Sequence, residues 1–89
     1  MARVLMYTTP WCGYCSAARE LLQSKNVDFE EIDVSMDSKL RTEMIDKTNR
    51  TSVPQIFINE QHIGGYSDMA ELEQKDELQS LLDTDNSTP

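Results

Sequence analysis

The hydrophobic pattern changes its period along the chain, and each change marks an element. "RVLMYT" is a short apolar run rich in strand formers, and its length favours a buried strand over a helix. Thr8, Thr9 and Pro10 break it. From Gly13 onward, Ala17, Ala18, Leu21 and Leu22 fall at helical spacing with polar residues between them, and Asn26 supplies a left-handed stop. "VDFEEIDV" reads as a second strand. Its alternation slips between Val27/Phe29 and Ile32/Val34, which predicts a twist or bulge near Glu30 and Glu31. Ser35 or Asp37 caps a second helix that turns Leu40, Met44 and Ile45 inward and stops at Asn49. "QIFI", a polar "NEQ" turn and "HI" predict a hairpin running into Gly64 and Gly65. Ser67 then caps one final helical region carrying Met69, Leu72, Leu78, Leu81 and Leu82.

This order places the chain in the α/β class. The first strand–helix–strand unit predicts a right-handed parallel crossover, and the hairpin adds antiparallel pairing. The expected architecture is a four-stranded mixed β-sheet flanked by helices on both faces. The 89 residues suffice for one small domain. That domain is expected over residues 1–83. The end, "DTDNSTP", has no apolar anchor, so residues 84–89 read as a disordered tail.

Charge and hydropathy narrow the function. The net charge of −8 is spread along the chain, which argues against nucleic acid and for a solvated acidic surface. No apolar run is long enough to span a bilayer, so no membrane partner is expected. "MARVLMYTT" reads as a strand rather than an export signal, which makes the cytoplasm the expected compartment. Cysteines are kept reduced there, so a close pair points to catalysis or metal binding, not a structural staple.

The chain's two cysteines, Cys12 and Cys15, fall where the first loop becomes a helix. Unpartnered N–H groups and the positive end of the helix dipole stabilise a thiolate at Cys12. Cys15 lies about one turn further along the same face. The two sulfurs can meet as a disulfide, with Cys12 attacking and Cys15 resolving. An inert buried pair fits poorly with the loop position and the aromatic and glycine neighbours. A self-contained zinc site needs four ligands, and the one further candidate, His62, lies on the distant hairpin as an ordinary residue. A CxxC after the first strand of such a unit is the pattern of a thioredoxin-like redox motif. Val53-Pro54 reads either as a simple strand opener or as a cis bond that turns the Val53 backbone groups toward the Cys12 loop, where an extended peptide could pair. Gly64-Gly65 reads either as a turn or as the start of a nest of N–H groups suited to a carboxylate.

"WCGYC", "TSVPQIFI" and "HIGGYSDM" stand in the order and spacing found in glutaredoxins, and the chain resembles the small bacterial dithiol members from "VLMYTTPWCGYC" to "ELQSLLD". The resemblance implies a thioredoxin fold and a glutathione-dependent disulfide oxidoreductase. Its substrates would be disulfide-containing or glutathionylated proteins, and glutathione its co-substrate. Cys12 then matches the nucleophile and Cys15 the resolving cysteine. Tyr14 matches the tyrosine lining the glutathione groove, Val53 the residue whose backbone pairs with the cysteinyl part, and Pro54 the cis-proline. Gly64 and Gly65 match the pair that lets the ligand approach. Ser67 and Asp68 match the positions holding the γ-glutamyl end: N–H groups take its carboxylate and the Asp68 carboxylate takes its ammonium. Arg41 aligns with a position that meets the glycyl carboxylate, and also reads as a solvated surface arginine.

Two departures stand out. Gly13 replaces the proline of the family's common CPYC motif, which makes the loop more flexible. Thr8 and Thr9 stand where many members carry a lysine. Trp11 followed by a small residue is also similar to a subset of glutaredoxins that hold a 2Fe-2S cluster. In that alternative Cys12 of each subunit of a dimer and two glutathione molecules supply the four thiolates. Otherwise Trp11 is a packing or lid residue and the protein a monomer.

Overall fold

The computed structural model describes residues 2–83. The tail expected at 84–89 lies outside the described residues. The elements run β1 (Val4–Thr8), α1 (Gly13–Ser24), β2 (Phe29–Asp33), α2 (Ser38–Thr48), β3 (Gln55–Ile58), β4 (Gln61–Gly64), α3 (Tyr66–Gln74) and α4 (Leu78–Asp83). The strands form one sheet in the order β2-β1-β3-β4. β1 pairs parallel with β2 and antiparallel with β3, and β3 pairs antiparallel with β4.

The central strand β1 alternates, and so builds two cores. Val4 and Met6 face α1, α3 and α4, where Ala18, Leu22, Ile56, Ile58, Met69, Leu78 and Leu82 join them. Tyr7 faces α2, where it meets Val34 and Met44. Helices therefore cover both faces, as the sequence pattern predicts.

The bulge expected at Glu30 and Glu31 is absent. The β1–β2 register runs unbroken from Val4 opposite Phe29 to Thr8 opposite Asp33. Val27 and Phe29 pack on the larger core, and Ile32 and Val34 on the smaller one. The slip in alternation is thus a change of buried face. Glu31 occupies the α1 side, held by Arg19 Nε at 2.6 Å and by the Thr8 hydroxyl at 3.2 Å. The sheet's irregularity lies instead between Ile56 and Phe57, where β3 meets β4.

The element ends follow local chemistry. Asp37, not Ser35, caps α2, its carboxylate accepting the Lys39 and Leu40 N–H groups at 2.9 and 3.2 Å. Asn26 and Asn49 adopt left-handed φ values of 57° and 58° at the two helix stops. Asn59 and Glu60, both at positive φ, form a two-residue hairpin loop, so Gln61 belongs to β4 and not to the turn. The final helical region divides in two. Asp76 takes φ 59°, its N–H donates to the Glu73 carbonyl, and the Glu77 N–H donates to the Leu72 carbonyl. That pair of bonds is a Schellman stop, which ends α3 and redirects the chain into α4.

Candidate active site

The site gathers at the C-terminal end of β1. Cys12 is the N-cap of α1, with φ −98° and ψ 114°, and its sulfur accepts the Cys15 N–H at 3.1 Å. One orphan donor of the helix terminus is thereby spent on the Cys12 sulfur. The Cys12 thiol in turn donates to the Val53 carbonyl at 3.5 Å. Val53-Pro54 is a cis peptide bond, the geometry that the second sequence reading requires.

The two cysteines are not joined to each other and differ sharply in setting. Cys12 is half-buried and Cys15 fully buried. Burial first, and then the neighbouring Cys12 sulfur, push the Cys15 thiol up to about 12. Arg19 lies one turn beyond Cys15 and reaches the Ser16 hydroxyl at 3.3 Å as well as Glu31. The Glu31 hydrogen bond holds the Arg19 guanidinium above its ordinary value. Tyr14 and Trp11 stand exposed beside Cys12, at 69% and 83%.

A cleft of about 380 Å³ has Tyr14, Val53, Pro54, Gly65, Ser67 and Asp68 on its wall; Cys12, Cys15 and Gly64 are not among its lining residues. Tyr14 stacks on Tyr66 across it, with ring centroids 6.3 Å apart. The structure therefore brings together most of the residues that the sequence singles out. Arg41 is not on this wall; it is exposed on α2, and its Nη2 donates to the Thr51 carbonyl at 3.0 Å.

The glycine pair has divided roles. Gly64 is buried at φ 122°, and a Cβ there would run into the Asp68 carboxylate. Gly65 has only an ordinary contact to offer, with the Pro54 carbonyl at 3.5 Å. It is Gly65, not Ser67, that caps α3. Asp68 in the first turn reaches back to accept the Gly65 N–H at 2.9 Å, so the cap is built from the third helical position and Ser67 is left inside the helix. That hydrogen bond, and then the Arg50 guanidinium, hold the Asp68 carboxyl below the usual carboxylate range.

Sequence reasoning passed over Arg50, Ser52 and Tyr66, which also line the cleft. Tyr66 had a signal, since it directly follows the glycine pair; Arg50 and Ser52 look in sequence like ordinary loop residues. Among the described residues, no group of three or more His, Cys, Asp or Glu side chains could hold a metal ion. A 2Fe-2S cluster needs four thiolates, and among the described residues one chain brings a single accessible thiol, Cys12, to the surface. The donor set of one chain does not fit the cluster.

A mixed sheet, a CxxC pair heading the first helix and a cis-proline facing it define a thioredoxin-fold dithiol protein. Residues 4–63 match the glutaredoxin family model. A glutaredoxin of Pseudomonas aeruginosa is 48% identical over 92% of this chain and 98% of its own length. Glutaredoxin 3 of Escherichia coli is 46% identical over 92% and 99%. The solution structure of a Brucella melitensis glutaredoxin superposes with a TM-score of 0.82 at 45% identity, covering 92% of this chain and 89% of that one. The chain belongs to the glutaredoxin family, and membership implies thiol–disulfide oxidoreductase activity.

Proposed function

We propose that the protein reduces glutathione mixed disulfides and protein disulfides in the cytoplasm, with glutathione as its electron donor. The observation that carries this reading is the asymmetry of the cysteine pair: Cys12 accessible at a helix N-terminus, Cys15 buried behind it.

Cys12 is the nucleophile. As a thiolate it attacks the glutathione sulfur of a mixed disulfide; the S–S bond breaks, the substrate leaves as a thiolate and takes up a proton, and Cys12 carries the glutathione. A second glutathione thiolate then attacks that glutathione sulfur, releasing oxidised glutathione and restoring Cys12. With a protein disulfide, Cys12 forms a mixed disulfide with the substrate. Cys15 gives up its proton and attacks the Cys12 sulfur, the reduced substrate departs, and the Cys12–Cys15 disulfide remains for two glutathione molecules to reduce. The raised Cys15 thiol suits this order, because a resolving group that stays protonated does not compete for the first attack.

The cleft supports glutathione as the donor. Val53 offers backbone groups to its cysteinyl residue, as an added strand does. Pro54 fixes that edge, and Tyr14 flanks it. Gly65 lets the ligand come close, Gly64 makes room for Asp68, the N–H groups at Ser67 and Asp68 take the γ-glutamyl carboxylate, and Asp68 takes the ammonium. Arg41, tethered beside the Val53 segment, has remaining N–H groups for the glycyl carboxylate.

The test couples the protein to NADPH, glutathione and glutathione reductase, with a small glutathione mixed disulfide as substrate. Rapid turnover is expected for the wild type and for Cys15→Ser, and a loss of at least a thousandfold for Cys12→Ser. Cys15→Ser should lose the protein-disulfide route. Full activity in Cys12→Ser would overturn the assignment.

A further inference from the structure

We infer that Arg50 is a specificity-determining residue of the glutathione site, paired with Asp68 to read the two opposite charges of the γ-glutamyl α-amino-acid head. The inference rests on the glutathione reading above and extends it to a residue that reading does not use.

Three observations converge on Arg50. Its Nη1 lies 3.1 Å from Asp68 Oδ2, and both side chains line the same cleft as Val53 and Tyr14. Its backbone is held by a buried hydroxyl: Thr48 Oγ1 accepts the Arg50 N–H at 3.0 Å and donates to the Met44 carbonyl at 2.8 Å, with the Arg50 carbonyl a longer second acceptor at 3.2 Å. In a chain of net charge −8, an anionic ligand needs a local cation, and Arg50 is the one cationic side chain lining this cleft among the described residues.

An exposed ion pair of this kind does little for stability. Its value here is geometric. Both the Arg50 and the Gly65 N–H bonds fall on Asp68 Oδ2, and neither uses Oδ1. Oδ1 is left for an ammonium, and the guanidinium keeps further N–H donors for a carboxylate beside it. A free α-amino-acid head carries both groups on one carbon. It meets the pair with two complementary contacts at once, while its carboxylate also faces the first N–H groups of α3. A ligand with only one of the two charges leaves one member of the pair without its new partner. The pair therefore selects glutathione against thiols that lack the complete head.

The experiment measures kcat/KM for three mixed disulfides of one small thiol: with glutathione, with γ-aminobutyryl-cysteinylglycine (no α-carboxylate) and with glutaryl-cysteinylglycine (no α-ammonium). Wild type, Arg50→Gln, Arg50→Lys and Asp68→Asn are compared. Arg50→Gln is expected to lower kcat/KM for the glutathione disulfide about tenfold through KM and to leave the substrate without the carboxylate nearly unchanged. Arg50→Lys should recover part of the loss. Asp68→Asn should show the mirror pattern, sparing the glutaryl substrate. Equal losses on all three substrates in Arg50→Gln, or none, would overturn the inference, because a residue that only holds Asp68 in place cannot distinguish them. If the wild type itself fails to turn over the glutathione disulfide, the underlying reading fails and the inference falls with it.

Discussion

The two faces of the sheet are packed to different depths. On the α1 face, nine residues form one buried cluster that ties β1 and β3 to α1, α3 and α4. On the α2 face the buried hydrophobic cluster among the described residues is Tyr7, Val34 and Met44, with Leu5, Leu40 and Phe57 half-exposed around them. The smaller core ends in polar groups: the Tyr7 hydroxyl donates to Glu43 at 3.3 Å, and Lys47 bonds Glu43 at 3.0 Å. The site follows the deeper face. Cys12 heads α1, and Ser67 and Asp68 lie in the first turn of α3. Ala18 and Leu22 of α1 meet Met69 of α3 in one cluster, so the two helix ends are held relative to each other by shared packing. From the α2 side, the cleft receives only the loop that follows the helix.

Matched substitutions on the two faces give the largest effect. Met69 and Met44 are both fully buried. Either one changed to Ala should cost about 3 kcal/mol in a denaturant titration. The faces should then separate in activity. Met69→Ala loosens the seat of α3 and is expected to raise KM for the glutathione substrate. Met44→Ala should keep its kinetic constants at temperatures where it remains folded. Equal kinetic damage from both would mean that the faces are not mechanically distinct.

Alkaline stability sharpens the same contrast, because each face buries one weak acid. Burial raises both the Cys15 thiol, to about 12, and the Tyr7 phenol. A group raised in the folded state binds its proton more tightly there. Its contribution is complete below the unfolded value, about 8.5 for a thiol, and is lost as pH rises toward the folded one. The melting temperature of the reduced protein should therefore fall above about pH 8.5, with Cys15 as the larger source. Cys15→Ala is expected to flatten that fall more than Tyr7→Phe does. The reverse order would place the stronger desolvation on the α2 face.

Much of this was legible in the sequence, for reasons that are local. The CxxC pair, the two Asn stops and the element order all depend on neighbours within a few residues. What escaped depends on tertiary partners. Glu30 and Glu31 look like a bulge only if one face is assumed to stay apolar; Arg19 and Thr8 supply the partners that let Glu31 face α1. Ser67 is a good cap by type, but Asp68 reaches the Gly65 N–H first and moves the helix start back. Arg50 gave no sequence signal, because a lone arginine in a polar loop shows neither its Thr48 anchor nor its Asp68 partner.

The smallest effect concerns the motif's departure from its relatives' common form. Gly13 is the first residue of α1, and nothing lies within 4 Å of where its side chain would begin. Proline is favoured at this helical position, where the missing N–H has no intrahelical partner to lose. The preceding residue must then be extended, and Cys12 already is, at φ −98° and ψ 114°. Gly13→Pro is thus expected to raise stability by about 1 kcal/mol, mainly by narrowing the unfolded ensemble. The Cys12 sulfur takes its hydrogen bond from the Cys15 N–H, which the substitution leaves in place. Turnover of a glutathione mixed disulfide should therefore change far less than it does in Met69→Ala. A stabilised Gly13→Pro protein with strongly altered turnover would show that loop flexibility at Gly13, and not only the packing of the α1 face, sets the position of the nucleophile.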